Sequence, residues 1–445
     1  MNKVNAFKNT DSLAWVNLHY VDLVGALHEL TVSKEEYENS EFFGIDGSSV
    51  NISEVNESDL TIVPDKTTFK VLPWNPAFGR VFCNVRDNSR SFWGDTRGLP
   101  FKLMEYLRDY GVEEVVGVEL EFFIMKVKAR VSPTASYVRV NLSERPPKGR
   151  LNVRNAYQIC GDRLLSKLVR HIVTYSRYLG IPISKVHHEV APNQFELVIP
   201  SSNVLSISDA VIDVKYVSRY VTSKTGFIAN FMPKPLPDDN GSGMHVHVSL
   251  KKDGINLFYD PEDPFKISQY CRYFIGGLLQ HGRSLSALVS PTVNSYKRLT
   301  PGYEAPIYLA WGFSNRSAAV RVPKALKPGE VRVEYRPPDP SSNPYVALTA
   351  VILAGLDGIK RKIDPGDPVR DNLYKLDERK AKEMGFEVLP RSLEEALDEL
   401  ESDNAYLKPV FSNEFIGKYV DVKKREIREV TKYPTPSEYI NYLSV

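Results

Sequence analysis

The stretch Asn240-Gly241-Ser242-Gly243-Met244-His245-Val246-His247-Val248-Ser249 puts two imidazoles and a hydroxyl behind a loop of glycine and small polar residues. Such a loop lets the backbone approach a ligand closely. Met244, Val246, Val248 and Leu250 then alternate with His245, His247 and Ser249, the period-two pattern of a strand with one face in a core. The polar face carries groups suited to a divalent metal or a bound phosphate. A solvated strand face has the same pattern, so partners elsewhere in the chain must decide between the two.

Carboxylates supply those partners. Glu119 and Glu121 share one face of Gly117-Val118-Glu119-Leu120-Glu121-Phe122-Phe123, while Val118, Leu120 and Phe122 share the other. Two acids in so apolar a sequence repel each other and are costly to desolvate unless a cation lies between them. In His187-His188-Glu189-Val190-Ala191-Pro192-Asn193-Gln194-Phe195-Glu196, a two-residue turn at Pro192-Asn193 would set Glu189 directly across from Glu196, a like-charge pair that needs a metal or cationic neighbour. A third strand segregates Arg332, Glu334 and Arg336 from Val331, Val333 and Tyr335. Glu119, Glu121, Glu189, Glu196, Glu334 and His245 together suit Mg²⁺ or Mn²⁺ better than structural zinc, which favours thiolates. The proline- and glycine-bearing segment Lys297 to Pro306 contains the lone acid Glu304 and reads as a loop able to cover a site. Arg316 and Arg321 follow, groups that grip carboxylate or phosphoryl oxygens.

The elements that must position these groups read as α+β. Residues 1 to about 95 alternate short strands, such as Ala14 to Leu18, with turns, and suggest a small, mostly β domain. Phe101, Leu103, Met104 and Leu107 then recur at helical spacing, followed by a strand from Val115 to Met125. Helices are expected over Asp162 to Leu179, Asp209 to Thr225, Ile267 to Leu288 and Pro344 to Ile359. The stretch from Lys126 to Arg154 reads as a basic surface excursion without periodicity, and Asp377 to Leu400 as one amphipathic helix.

The 445 residues, 42% hydrophobic and 25% charged, exclude disordered and fibrous classes. A net charge of +2 gives no reason to invoke nucleic acid or a membrane surface. Cys83, Cys160 and Cys271 are too few and too scattered for a disulfide framework or zinc knuckle, which fits a reducing, cytoplasmic setting. The N-terminus lacks the apolar core of a secretory signal, and the longest apolar run, Val346 to Leu356, is too short to span a bilayer.

Taken in order, these motifs resemble the glutamine synthetase family of bacterial and archaeal type. The resemblance rests on Asp46-Gly47-Ser48-Ser49, Glu119-Leu120-Glu121-Phe122-Phe123, His187-His188-Glu189, Asn240 to His245, Lys297 to Pro306, Asn315-Arg316-Ser317 and Arg332 to Arg336. It implies a β-grasp-like N-terminal domain over residues 1–95, then a catalytic domain over 96–445 with a curved antiparallel sheet flanked by helices. It implies that Glu121, Glu189 and Glu196 hold one metal and that Glu119, His245 and Glu334 hold a second, with two to three ions per active site. Arg298, Arg336, Asn240 and Gly241 would grip the amino-acid substrate. His247, Ser249 and Arg332 would lie toward ATP, and Arg316 and Arg321 would neutralise the transferring phosphoryl group.

The implied reaction makes a γ-glutamyl phosphate from ATP and glutamate, shields it under the Glu304 flap, and lets ammonia attack it to give glutamine. Asp46, brought from a neighbouring subunit, would deprotonate ammonium, with Ser49 and Tyr157 on the same amine side. A homo-dodecamer of two stacked hexamers is implied as well. Val50-Asn51-Ile52-Ser53, Gln158, Asn193 and Ser184 depart from the family's usual residues. The departures around Asp46 and Tyr157 motivate an alternative, a γ-glutamyl ligase acting on a polyamine or another amine. A two-metal phosphohydrolase would leave the arginines and the flap without a role, and the intact metal positions argue against a non-catalytic relative. Tyr374 falls where some bacterial relatives are modified, and a packing role is expected for it.

Overall fold

A computed structural model describes residues 12–433 and 435, apart from 51, 54, 88, 89, 133, 134, 145–155 and 377. Strands Trp15–Val21, Leu27–Ser33, Phe43–Asp46, Asp59–Pro64 and Asn75–Asp87 form the backbone of a first sheet. Trp15–Val21 lies parallel to Asn75–Asp87, and the other pairings are antiparallel. Val16, Leu18, Ile62, Val81 and Val85 fill its core. Buried ion pairs fasten this sheet to the catalytic half of the chain. Arg97 holds both Asp65 and Asp209 at 2.9 Å, and Arg80 pairs with Asp213.

The second sheet carries the chemistry. Its order is Lys185–His188, Gln194–Ser202, Glu113–Ser132, Met244–Lys252, Val333–Tyr335, Val320–Val322, Trp311–Phe313. The sheet is antiparallel as expected except at its edge, where the last pair is parallel, so that it is mixed overall. Alternation decides its faces: Val118, Leu120, Phe122, Met244, Val246 and Val248 are at most 1% exposed and turn toward the helices. The helices Val204–Ser223 and Pro344–Arg361 back that face. Pro344–Arg361 begins on Asn343, whose side chain accepts from Tyr345 N, and ends at Lys362 in a left-handed conformation. It packs so closely on Gln269–Gln280 that a Cβ on Gly277 would sit 2.1 Å from Ala354 O. Among the described residues no helix is long and apolar enough to cross a membrane.

Four sequence expectations need correction. The Glu113–Ser132 strand is 20 residues long and turns back into Ala135–Asn141, so most of the supposed irregular excursion is a hairpin, while 145–155 lie outside the described residues. Val204–Ser223 starts five residues before Asp209, because Asn203 caps it by accepting from Ser206 N. The helix expected over Ile267 to Leu288 breaks at His281. The tail is two helices, Glu378–Glu383 and Leu393–Ser402, around the short strand Glu387–Val388, which pairs with Tyr308–Leu309. Gly385, at φ +77, ends the first of them.

His281 joins the break to the tail, with its two ring nitrogens 2.8 Å from Asp357 and Asp403. Burial pushes its pKa down, but the hydrogen bonds to Asp403 and Asp357 outweigh burial and hold it above 6.5. The cluster therefore contributes fully below pH 6.5 and fades as pH rises through the raised folded-state value. Melting temperatures of the wild type and His281→Leu should differ most at pH 6 and converge toward pH 9. A pH-independent difference would contradict the charged cluster.

Candidate active site

Register brings the acidic face together. Glu119 and Glu121 project from the central strand. Glu196 stands directly opposite Glu121, and His245 directly opposite Glu119. One strand further on, His247 faces Glu334, and Glu334 faces Arg321. Because side chains alternate strictly, this register sets acids and imidazoles from separate strands on one face.

The hairpin register differs from the expected one. His187, not Glu189, stands opposite Glu196, and Glu189 N donates to Gln194 O at 2.8 Å. The connection is longer than two residues because Asn193 adopts φ +62 and is anchored through its side chain, donating to Ile124 O at 2.6 Å and accepting from Glu144 N at 3.0 Å. Glu189 still joins the acids: ligand atoms of His187, Glu189 and Glu196 lie within 4.8 Å of one another, as do those of Glu121, Glu196 and His245, and of Glu119, His245 and Glu334. The last of these groups is one of the two inferred from the resemblance. Of the other, Glu121 and Glu189 each group with Glu196, but in separate sets, the first with His245 and the second with His187.

The electrostatics fit a cation. Burial, reinforced by the charges of Glu189 and Glu196, pushes Glu121 well above the usual carboxylate range. Burial and Glu196 raise Glu189 as well. Among the described residues Glu121 accepts from neutral donors, Gly243 N at 2.8 Å and Gln194 Nε2 at 3.3 Å. Burial also depresses His245, with Arg336 adding to the effect, so the ring is a neutral imidazole able to donate an electron pair. Glu119 and Glu334 behave oppositely. Burial raises Glu119, but His245 and His247 outweigh it and hold the group below its usual range. Burial likewise opposes ionisation of Glu334, yet Arg336, His247 and Arg321 bring it down to about 2.

A cavity of about 320 Å³ opens beside the acids, lined by Glu121, Glu189 and Glu196 on one side and Asn240, Gly241, Arg298 and Arg336 on another. Arg298, 3% exposed, is fixed by donating to Pro337 O at 2.7 Å and Arg336 O at 3.1 Å. Asn240 donates to Glu304 Oε2 at 3.2 Å, which draws the Lys297–Pro306 loop over the cavity. Glu304 has φ +57, and Arg316 and Tyr157 complete the rim. Tyr157, 71% exposed at φ +64, packs against His187 with ring centroids 4.4 Å apart and the planes tilted by 39°. Arg332 Nε donates to His247 Nδ1 at 3.2 Å, and Ser249 lies further along the same strand; neither Arg332, His247 nor Ser249 lines the cavity.

Asp46 and Ser49 are not brought to this cavity. The Asp46 carboxylate is exposed and bonded within its own loop, to Ser48 and Ser49 hydroxyls at 2.7 and 2.5 Å, which lower it to about 2. Sequence reasoning also missed residues that do meet the site. Gln194 spans Glu121, Gly241 O and Ser242. Tyr374 does more than pack: its hydroxyl lies 2.8 Å from Glu304 O and 2.7 Å from Arg316 O, joining the flap to the arginine loop. Nothing local marks Gln194, or marks Tyr374 for these bonds; only tertiary contact reveals them.

Residues 12–88 match the family model described as glutamine synthetase, beta-Grasp domain, and residues 94–442 match glutamine synthetase, catalytic domain. The chain is 43% identical to a glutamine synthetase of Sulfolobus acidocaldarius, covering 98% of this chain and 97% of that one. It is 37% identical to one of Methanosarcina mazei, covering 99% and 97%. Among solved structures it is similar to Plasmodium falciparum glutamine synthetase, with TM-score 0.85 and 26% identity over 99% and 98% of the two chains. It is also similar to a structure titled GmaS/ADP complex, with TM-score 0.85 and 26% identity over the whole of both chains. With both domain matches in order and an acidic, arginine-flanked face built from the expected strands, the chain belongs to the glutamine synthetase family.

Proposed function

We propose that the protein forms glutamine from glutamate, ammonia and ATP, releasing ADP and phosphate. The observation that carries this reading is the acidic row in register beside a cavity with two buried arginines, Arg298 and Arg336. The departures around Asp46 and Tyr157 do not by themselves favour another amine, and the curated relatives above carry the glutamine synthetase name.

Glu121, Glu189 and Glu196 would hold one Mg²⁺ or Mn²⁺, and Glu119, His245 and Glu334 another. Bound there, such ions neutralise phosphate oxygens and orient them for in-line transfer. Arg298 and Arg336, with Asn240 and Gly241, hold glutamate so that a γ-carboxylate oxygen attacks the terminal phosphorus of ATP and the bond to ADP breaks. Arg316 and Arg321 balance charge spreading over the phosphoryl oxygens. His247, Ser249 and Arg332 face the nucleotide. Ammonia then attacks the acyl carbon, and phosphate leaves. Asp46, with Ser49 at its side, is delivered from a neighbouring copy to take the ammonium proton, near Tyr157; its exposure, and its absence from the lining of its own chain's cavity, support a shared site in a homo-dodecamer. The same reading places the enzyme in the cytoplasm and divides it near residue 95.

Glu304 supplies the sharpest test. Held by Asn240 and Tyr374, its loop shields the acyl phosphate from water. With Mg²⁺ and ATP, ADP release should require both glutamate and ammonium in the wild type. In Glu304→Ala, ADP release should exceed glutamine formed, because water intercepts the intermediate. Glutamate-independent phosphate release by the wild type would refute the ligase reading, and unchanged coupling in the variant would refute the flap's role.

A further inference from the structure

Away from the acidic face, a cavity of about 500 Å³ lies between the Val24–Leu27 turn and the Val204–Ser223 helix. No carboxylate lines it, yet Lys215 and Arg219, one helical turn apart, both do. Lys215 is only 7% exposed, and among the described residues its Nζ reaches no acceptor nearer than Ser342 O at 3.4 Å. Among the described residues neither cation has an acidic partner within 4.0 Å. Asp339, fully buried, acts on Lys215 only at longer range and is bonded to Ser341. Burial, and then the charge of Arg219, brings Lys215 down to about 7. An ammonium so placed either loses its proton or gains an anion. The remaining wall is largely apolar, with Leu27, Ile212, Phe231 and Met232.

This cavity touches the substrate loop. Its floor ends at Pro233, whose carbonyl accepts from Ser242 N at 2.8 Å and would meet a Cβ on Gly241 at 2.3 Å. Asn294, another lining residue, clamps Lys234 by accepting from its N at 2.8 Å and donating to its O at 3.1 Å.

We infer that the cavity is a second binding site, for a small carboxylate or phosphate ester with an apolar body, and that its occupant acts on the Asn240–Ser242 loop through Pro233. The binding half of this inference is independent of the reaction; the coupling half rests on the glutamine-forming reading.

Calorimetric titration of the assembled enzyme, with glutamate saturating so that the substrate grip is filled, tests it with benzoate, phenyl phosphate and neutral benzamide. At least one anion should bind saturably, once per chain, while benzamide does not; which anion binds identifies the head group. Lys215→Met should weaken binding by about tenfold or more. Arg219→Gln, at an exposed position, should weaken it several-fold and keeps the test decisive if Lys215→Met fails to assemble. The bound anion should shift the glutamate KM at least twofold in the wild type and not in the variants. Absence of saturable binding at millimolar anion, or wild-type affinity in both variants, overturns the site. Binding without a KM shift overturns the coupling.

Discussion

Glu334→Gln is expected to lower kcat/KM for glutamine formation by roughly a hundred- to a thousand-fold, the scale of removing one preorganised electrostatic contact to a reacting phosphoryl group. Glu334 is 0% exposed and receives Arg336 Nη1 on one oxygen, at 2.5 Å, and Arg321 Nη1 on the other. On the proposed reading its carboxylate has two tasks, a ligand position beside His245 and Glu119, and neutralisation of two guanidinium groups. The amide keeps the volume but removes the charge and turns a donor toward one arginine. Breaking a buried pair in this way costs roughly 3–5 kcal/mol of stability. Rates should therefore be measured at 25 °C on protein whose circular dichroism and assembly match the wild type, alongside a melting curve. A folded Glu334→Gln enzyme with near wild-type turnover would remove Glu334 from the metal set.

Gly241→Ala should cost roughly a hundred-fold in kcat/KM for glutamate, the penalty of displacing a positioning group by about an ångström. The new methyl would lie 2.3 Å from Pro233 O and 3.0 Å from Arg298 Cγ. A backbone carbonyl that is itself bonded to Ser242 N cannot yield, so the loop must move. That movement shifts Asn240, which holds Glu304, and Gly241 O, which accepts from Gln194 Nε2 at 3.0 Å. On the proposed reading nucleotide affinity should change little, since His247 and Ser249 lie within the strand Met244–Lys252 and Arg332 just before Val333–Tyr335, all outside the loop. Initial-rate kinetics varying glutamate and ATP separately would show this split. A glutamate KM within twofold of the wild type would refute a positioning role for the close approach.

Much of the acidic face was legible from the chain because strand alternation is local. Val118, Leu120, Met244 and Val246 could only face a core, which leaves Glu119, Glu121, His245 and His247 on the other side. Helices with strong end signals were legible too, as with Asp162, which caps Arg163–Tyr178. Misreadings arose where a long-range contact overrode a local pattern. The helical spacing of Asp377 to Leu400 gave way to pairing of Glu387–Val388 with Tyr308–Leu309, which buries Tyr308. The hairpin before Glu196 opened because Asn193 is held by Ile124 and Glu144, residues 69 and 49 positions away.

The residue types, their faces and their family order belonged to the sequence alone, since each depends on neighbours two to four positions apart. Which acids meet was decided only by the tertiary structure. Opposing Glu196 to Glu121, His245 to Glu119 and His247 to Glu334 depends on relative shifts of separate strands, and one residue of slip would turn these side chains into the core. The same holds for Tyr374 and Lys215, whose surroundings come from segments far apart in the chain and whose roles no local pattern encodes.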